Sequence, residues 1–382
     1  MRDLAIVGAG PVGATLACAL ARAGLDLAVL DARAEGATLR GDRSLALSHG
    51  ARLVFERIGV WPALARTQGA VTPIRTIDVS QARGFGATTL DAADVGLPAL
   101  GYVVAYVALQ AALDAAMRDA GIAVTWRAPV ARVDAMPSFA TVTREDGAAL
   151  DARLAVVADG GGERVAGIER VRHAYGKVAL IADVERDAPP DGVAFERFTP
   201  DGPVALLPKG DRYGLVWTMT PARAKDACAL DDRAFLAALA AHAGTRIGRI
   251  VHVGPRRSFA LTLEYAKPAA RPRVAMLGNA AQTLHPIAGQ GFNLGLRDAY
   301  DLARVVLDTP RDALGARPMI DRYLRTRRAD RAAGIAVTHG LTRLFGSDRA
   351  LVAWPRGLGL ALLDVVPPAR RAFTRAMLFG MH

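Results

Sequence analysis

Leu4-Ala5-Ile6-Val7-Gly8-Ala9-Gly10-Pro11-Val12-Gly13 is the stretch that decides the fold. Four consecutive apolar residues suit a strand buried on both faces, and a glycine-rich turn follows at once. Thr15 to Ala23 continues as an Ala-rich helix closed by Gly24, and a second apolar run, Leu27 to Leu30, delivers Asp31 at its end. Each part has a physical task. Gly8 makes the tight turn, Gly10 lets backbone N–H groups approach a pyrophosphate, and Gly13 lets helix and strand pack closely. The helix N-terminus offers unpaired donors and a partial positive charge. Asp31, 18 positions after Gly13, stands where an acid accepts from a ribose hydroxyl. Strand, glycines, helix, strand and acid in this order predict a dinucleotide-binding unit, without distinguishing NAD from FAD.

The rest of the 382-residue chain bounds the answer. With 52% hydrophobic and 22% charged residues it is neither disordered nor a disulfide scaffold, and its length suits one layered domain plus a smaller one. Cys18 and Cys228 read as small hydrophobes in a reducing compartment. The Met-Arg-Asp start leaves no room for a signal peptide, so a cytoplasmic protein is expected. Net charge is +11, and lysine occurs only at Lys177, Lys209, Lys225 and Lys267, so arginine carries nearly all of the positive charge. From Arg311 onward there are 13 Arg against 5 Asp, with no Lys or Glu. Such a basic end points to nucleic acid or to an anionic membrane surface. Aromatic content of 6% and the lack of any zinc, RNP or helix-turn-helix signature argue against nucleic acid. Val95 to Leu113 carries no charge, but Gly96, Pro98, Gly101 and Gln110 interrupt it, and Tyr102-Val103-Val104 reads as a strand leading into a helix.

Two further segments extend the dinucleotide unit. Leu154 to Ala158 is another buried strand, ending in Asp159-Gly160. Val274 to Leu277 is a third, running into Gly278-Asn279-Ala280-Ala281 and then His285-Pro286-Ile287-Ala288-Gly289-Gln290-Gly291-Phe292-Asn293 before a helix over Leu294 to Leu307. Glycines 289 and 291 ahead of a helix put bare backbone against a ligand. A cofactor that spans the sheet and gains negative charge on reduction suits this arrangement.

These segments resemble the flavoprotein aromatic hydroxylases of the p-hydroxybenzoate hydroxylase fold, and among them the ubiquinone-biosynthesis hydroxylases of 2-polyprenylphenols. Gly41-Asp42-Arg43-Ser44-Leu45-Ala46-Leu47 resembles the family's second FAD contact, Asp159-Gly160 its DG motif, and Gly278 to Pro286 the segment that holds ribityl chain and flavin ring. Ala194-Phe195-Glu196-Arg197-Phe198-Thr199, Gly202-Pro203 and Leu206-Leu207-Pro208 are similar to the substrate-side sheet of the quinone-pathway members. The resemblance runs over nearly the whole chain. It implies an α/β fold in which a Rossmann-like FAD domain (1–72, 101–172 and 271–310) is interrupted by an antiparallel substrate sheet (73–100 and 173–270) and followed by terminal helices (311–382).

The resemblance also implies a site. Gly8, Gly10, Pro11, Val12, Gly13, Asp31, Ala32, Arg43, Ser44, Gln110, Val130, Asp159, Gly160, Gly278, Asn279, Pro286, Gly289, Gln290, Gly291, Phe292 and Asn293 would bind FAD. His285, Pro286 and Gln290 would face the chemistry, and Phe195, Arg197, Leu206, Pro208 and Trp217 the substrate. NADPH or NADH would reduce FAD, oxygen would add at the flavin C4a, and the hydroperoxide would hydroxylate a phenolic ring. No second GxGxxG is present, since Gly84-Phe85-Gly86 and Gly357-Leu358-Gly359 lack the third glycine, so the nicotinamide would visit only transiently.

Departures from the family are local. Asn279 stands where most relatives have Asp, Gly161-Gly162-Glu163-Arg164 replaces the serine and arginine after the DG pair, and Ala105-Tyr106 replaces Glu and Asn, leaving Leu109-Gln110 as the flavin contact. They leave open a catalytically idle FAD-binding scaffold of a quinone-pathway complex, or a hydroxylase of a small soluble aromatic. A halogenase is disfavoured because Trp61, Trp126, Trp217 and Trp354 stand alone. No metal site is read. Arg325, Arg327, Arg328 and Arg331 read as a solvated helix face, and Glu196 and Arg197 as a cross-strand pair. Trp354 to Met381 reads as two short helices divided by Pro367-Pro368, whose apolar faces edged by arginine suit either a membrane interface or packing onto the FAD domain.

Overall fold

The computed structural model describes residues 1–37, 43–82, 86–161, 164–284, 290–345 and 350–380, which form three sheets and ten α-helices. Strand β1 (Arg2–Val7) is the centre of the first sheet, buried beyond Arg2 and flanked in parallel by β2 (Leu27–Leu30) and β11 (Ala149–Val157). That two-sided burial is what its uninterrupted apolar run encodes. Beyond β2 lies β8 (Val124–Thr125), and beyond β11 lie β19 (Val274–Met276) and β18 (Ala270–Arg271). A hairpin of β9 (Val130–Ala135) and β10 (Ala140–Arg144) joins β11 antiparallel. Helix α1 (Pro11–Leu20) connects β1 to β2, with Pro11 at its first turn, where a missing N–H costs nothing. The helix begins and ends earlier than the Thr15 to Ala23 run suggests, because Pro11 already has helical geometry.

The second sheet runs in the order β20 (Gln282–Thr283), β17 (Arg257–Lys267), β12 (Glu169–Arg186), β15 (Arg212–Met219), β14 (Val204–Lys209), β13 (Val193–Phe198), β5 (Thr76–Gln81) and β6 (Ala87–Asp91), with β16 (Ile250–Val253) also on β12. Its two faces are separated by strand parity. Val204 and Leu206 on β14, with Leu215 and Trp217 on β15, pack with Phe235 and Leu239 of α6 (Asp232–Ala243) and Ala224 of α5 (Pro221–Ala229). Ala205, Leu207 and Val216 look the other way. A small third sheet orders β3 (Ser44–Ser48), β7 (Gly101–Ala105) and β4 (Val71–Ile74), and β7 leads into α4 (Tyr106–Asp119) as the sequence pattern predicts. Helix α2 (His49–Arg57) is capped by Ser48, whose hydroxyl accepts from Ala51 N, and α3 (Trp61–Arg66) follows it.

Helix α7 (Gln290–Leu307) starts four residues before the Leu294 of the sequence reading, so Gly291, Phe292 and Asn293 belong to its first turn. Helix α8 (Arg317–Phe345) crosses it, and α9 (Ala350–Val365) and α10 (Pro367–Phe379) are divided at the two prolines. No helix among the described residues is long and apolar enough to cross a membrane.

The arginine run on α8 departs from the expected solvated face. Arg327 is 2% exposed, and its guanidinium meets Asp298 and Asp301 of α7 and Asp330 of its own helix, each at 2.8 Å. Asp298 also accepts from Gln282 Nε2 at 2.5 Å, and Arg331 donates to the carbonyls of Ala266 and Ala281 at 2.9 and 3.1 Å. A buried guanidinium is tolerated because three carboxylates surround it, Asp298 and Asp301 accepting from Nε and Nη1. Replacing Arg327 by Ala removes the shared cation of three buried acids, leaving Asp330 with Arg297 and Asp298 with Gln282, and a loss of about 3–5 kcal/mol is expected, read as a lowered denaturation midpoint. Arg325→Ala, on an exposed position of the same helix, is expected to shift it by less than about 0.5 kcal/mol.

Candidate active site

The glycine turn is built by backbone approaching backbone. Gly8 sits at φ +100, and a Cβ there would lie 2.8 Å from the backbone of Ala158 and Asp159. A Cβ on Gly13 would run into the Gly8 carbonyl, so α1 is pinned to the turn by the absence of a side chain. Gly10 differs: nothing lies within 4 Å of the position its Cβ would take, and no side chain caps α1. The helix therefore presents its first-turn donors to open space.

Two side chains brace this turn. Asp31, buried, accepts from Ala9 N at 2.6 Å and from Arg33 N and Nε at 2.7 and 3.0 Å, so its carboxylate holds the turn as well as ending β2. The Ala9 carbonyl accepts from Gln110 Nε2 at 2.9 Å and from Arg33 Nη2 at 3.0 Å. Arg33, missed by the sequence reading, lies over the Trp126 ring at 5.3 Å; only its place two residues after the acid could have flagged it. Gln110 also donates to Asp114, while its Oε1 is buried with no partner. Burial pushes the Asp114 carboxyl up, against the Gln110 and Arg33 contacts that lower it. Burial also pushes the Cys18 thiol up to about 12, which disfavours the thiolate.

A third glycine contact joins the segments. Gly278, at φ +57, leaves its missing Cβ 3.0 Å from Val12 Cγ2, and a Cβ on Gly295 of α7 would sit 2.8 Å from Gly278 Cα. Asn279 is exposed on this 3-10 turn. Phe292 is half-buried against the main core. Asn293 turns inward: its Oδ1 accepts from Ser48 N at 2.8 Å and its Nδ2 donates to Ala46 O at 3.0 Å, so the amide brackets β3 onto α7. A Cβ on Gly291 would meet Leu284 only at ordinary van der Waals distance, 3.7 Å. His285, Pro286 and Gly289 lie outside the described residues, as do Gly41, Asp42 and the side chain of Gln290.

The remaining cofactor-side expectations fall at the rim. Arg43 is exposed and lies over the Tyr106 ring at 5.2 Å, and Ser44 pairs with Ala105, so two departures from the family pattern stand beside it. Asp159 accepts from Gly161 N at 3.0 Å and pairs with Arg164 at 3.4 Å, while Gly160 turns at φ +82. Ala32 is exposed after Asp31. Val130, 1% exposed, belongs to the core behind the sheet, so its side chain faces no ligand.

The substrate-side expectation shifts by one register. A cavity of about 250 Å³ lies between the second sheet, β3 and the terminal helices, walled by Ala205, Leu207, Val216, Leu90, Leu360 and Met377 among others. Leu206, Pro208 and Trp217 are not in that wall, because strand parity turns Leu206 and Trp217 into the α5–α6 core, where Trp217 packs on Phe235 at 5.9 Å. Arg197 also faces that side, donating to His242 O at 3.2 Å and Ser80 Oγ at 3.4 Å. Phe195 borders the cavity with its ring on Tyr213, 6.0 Å away. Glu196 and Arg197 therefore do not form a pair; Glu196 is left in the cavity wall, and burial pushes its carboxyl up to about 8.

An uncapped helix end over open space, a buried amide oxygen lacking a partner and a brace of acid and arginine suit a ligand with a diphosphate and sugar hydroxyls. A largely apolar cavity adjoins the cradle across Asn293. Together these features define a flavin-binding fold with an adjoining apolar cavity. The chain belongs to the FAD binding domain family, whose model matches residues 1–336.

Its relatives include the ubiquinone hydroxylase UbiL of Rhodospirillum rubrum, 35% identical over 98% of this chain and 88% of that protein. The 3-demethoxyubiquinol 3-hydroxylase of Escherichia coli is 32% identical over 86% of each chain. Among solved structures, Pseudomonas aeruginosa PqsL in complex with 2-aminobenzoylacetate has a TM-score of 0.77 at 21% identity, covering 94% of this chain and 99% of its own. Klebsiella pneumoniae HpxO complexed with FAD and uric acid has 0.73 at 20%, covering 99% and 96%. The chain is thus a flavoprotein that binds FAD.

Because Gly10 has extended geometry and free space, Gly10→Asp is expected to leave the fold intact while placing a carboxylate where the diphosphate belongs. Flavin absorbance after FAD loading and desalting should vanish with the denaturation midpoint unchanged. Gly13→Ala, which meets the Gly8 carbonyl, should lower both.

Proposed function

We propose that this protein is an FAD-dependent monooxygenase that hydroxylates the phenolic ring of a polyprenylated ubiquinone precursor, with NADPH or NADH as transient electron donor. The observation that carries the reading is the cavity. It begins at Ala46, Ser48 and Asn293, beside the segments that hold the cofactor, and continues between apolar sheet residues to Leu360, Leu363 and Met377 of the terminal helices. A prenylated ring matches such a wall; a small charged aromatic would find no arginine or lysine there among the described residues. The names of the hydroxylase relatives support the same substrate class.

The chemistry that FAD supplies when bound is hydride uptake from the nicotinamide and activation of oxygen for transfer of one atom to the ring. The chain's own residues bind, orient and keep dry. Gly10 and the first turn of α1 receive the diphosphate, with Asp31 and Arg33 fixing the turn. Asn293 holds β3 at the end of the chamber, and the apolar wall excludes water from the reacting ring.

The terminal helices support delivery from a membrane. They close over the chamber by close contacts: a Cβ on Gly50 of α2 would lie 2.7 Å from Leu378 O, and one on Gly86 2.5 Å from Gly357 O. Leu360, Leu363, Met377 and Leu378 thereby face inward, which the packing alternative anticipates. Leu358, Leu362 and Val365 remain 57–76% exposed, and Phe373, 41% exposed, is also in the cavity wall. Arg371 and Arg375 are exposed beside them, whereas Arg370 is engaged with Asp94 at 3.0 Å. An apolar rim with free arginines, set at the chamber's own helices, fits an anionic bilayer interface.

Two measurements test this reading. With labelled oxygen gas and a prenylated phenol, one labelled atom should enter the product; label arriving only from water, or FAD bound without substrate-stimulated NAD(P)H oxidation, would favour the idle scaffold. Anionic vesicles should sediment the protein in a salt-sensitive way. Arg371→Gln with Arg375→Gln should weaken that by about 2 kcal/mol, and Arg370→Gln by less, because Arg370 is already paired.

A further inference from the structure

The pairing register assembles the chamber floor from five strands. Thr88 pairs with Val79, Val79 with Glu196, Glu196 with Ala205, and Ala205 with Val216. All five residues belong to the cavity wall, so they form one row across β6, β5, β13, β14 and β15. Glu196 stands at its centre, beside the small Ala205 that leaves room above the sheet. Among the described residues it makes no hydrogen bond and no ion pair, and it is the sole ionisable side chain in the wall. Thr88 Oγ1, in the same row, is buried and also lacks a partner.

A carboxyl is a costly choice for such a wall unless a ligand uses it. Removing an unpaired polar group from water costs about 1–3 kcal/mol, and more for an ion; half-buried Glu196 bears part of that cost, and no partner among the described residues offsets it. The charges on the surrounding elements are spent elsewhere: Asp78 of β5 on Arg246, Lys209 of β14 on Asp183, Arg297 and Asp298 of α7 on Asp330 and Arg327, and Arg370 of α10 on Asp94. Asp91 of β6 accepts from Thr76, Arg212 of β15 meets Glu185, and Asp364 of α9 with Arg371 and Arg375 of α10 is exposed outside the wall. Left alone, Glu196 carries its proton below a pH of about 8 and presents an O–H donor to the chamber.

We propose that Glu196 is the polar anchor of the aromatic head group, its carboxyl O–H donating a hydrogen bond to a ring oxygen of the bound substrate. Thr88, two strands away and so about 10 Å across the floor, offers a second hydroxyl on the same row. A ring carrying two oxygen substituents would lie along the row, while its apolar tail follows the wall toward Leu360 and Met377. The proposal rests on the phenolic substrate class above and assigns the residue that recognises it.

Equilibrium binding to the FAD-loaded protein tests the anchor, with a prenylated phenol and the matching prenylbenzene, which lacks the ring oxygen. The wild type is expected to prefer the phenol by about 10- to 100-fold. Glu196→Leu should bind both compounds alike, its retained hold on prenylbenzene showing that the chamber is intact. Glu196→Gln keeps an N–H donor and should retain most of the preference. Binding of the O-methylated prenylphenol, whose ring oxygen can only accept, should weaken for the wild type as pH rises through about 8, since the ionised carboxylate no longer donates, and Glu196→Gln should lack this limb. A phenol preference that survives Glu196→Leu, or wild-type binding that ignores the ring oxygen while labelled oxygen still enters a phenol, overturns the anchor and leaves the hydroxylase standing. Failure of the wild type to bind either compound overturns the substrate class and the anchor together.

Discussion

Close backbone approach at four glycines is the constraint on which the molecule depends. Gly8 and Gly13 let α1 rest on the turn after β1, and Gly278 and Gly295 let α7 rest on the turn after β19. Both helices thus bring their N-terminal ends to the same edge of one parallel sheet, where crossover topology opens a crevice. Val12 lies between the two contacts, 3.0 Å from the position of a Gly278 Cβ and 3.3 Å from that of Gly295. A methyl group at Gly13 or Gly295 would push one helix away, and the cradle would lose its fixed width. The remaining elements hang from α7: α8 through Arg327 and its three acids, and β3 through the Asn293 amide.

How much of this was legible in the sequence depends on the range of each interaction. The β1 turn, Asp31 and the strand entering α4 are local patterns, and their identities follow from a few adjacent residues. Non-local compensation hid the α8 arginines. Arg327 reads as one member of an exposed basic run until Asp298 and Asp301, on another helix, are seen to meet it. The start of α7 was obscured by Gly289 and Gly291, since glycine argues against helix although Gly291 is accommodated in its first turn.

Strand parity accounts for the substrate side. Leu206 and Trp217 are apolar and belong to the right strands, but a one-residue step decides between the α5–α6 core and the cavity. In a strand buried on both faces the apolar pattern does not announce which parity is which. Only the pairing of Ala205 with Val216, and of Leu206 with Leu215, separates the faces. The same step parts Glu196 from Arg197: the arginine reaches the His242 carbonyl and Ser80 on the core face, and the acid remains alone on the other. Adjacent opposite charges, read as partners, are parted by the pleat.

Two regions of opposite dielectric character therefore meet at Asn293. On one side, helix donors, Asp31, Arg33 and exposed Asn279 form a polar cradle fit for a charged cofactor; on the other, strands and terminal helices form a largely apolar chamber. Electrostatic interactions grow stronger as water is removed, so a reaction at the junction gains from a dry wall only if the polar groups there are already fixed. Asn293 meets that condition by committing both amide atoms to the β3 backbone, which leaves it no freedom to rotate into the chamber. The junction is thereby stiff. The chamber roof, formed by α9 and α10, is by contrast held through glycine contacts, the packing of Leu378 and Phe379 on Leu90, Ala92 and Leu100, and the single Arg370–Asp94 pair among the described charges. A floor tied by ladder hydrogen bonds under a roof with few polar ties leaves the local stability of the chamber unevenly shared between its two sides.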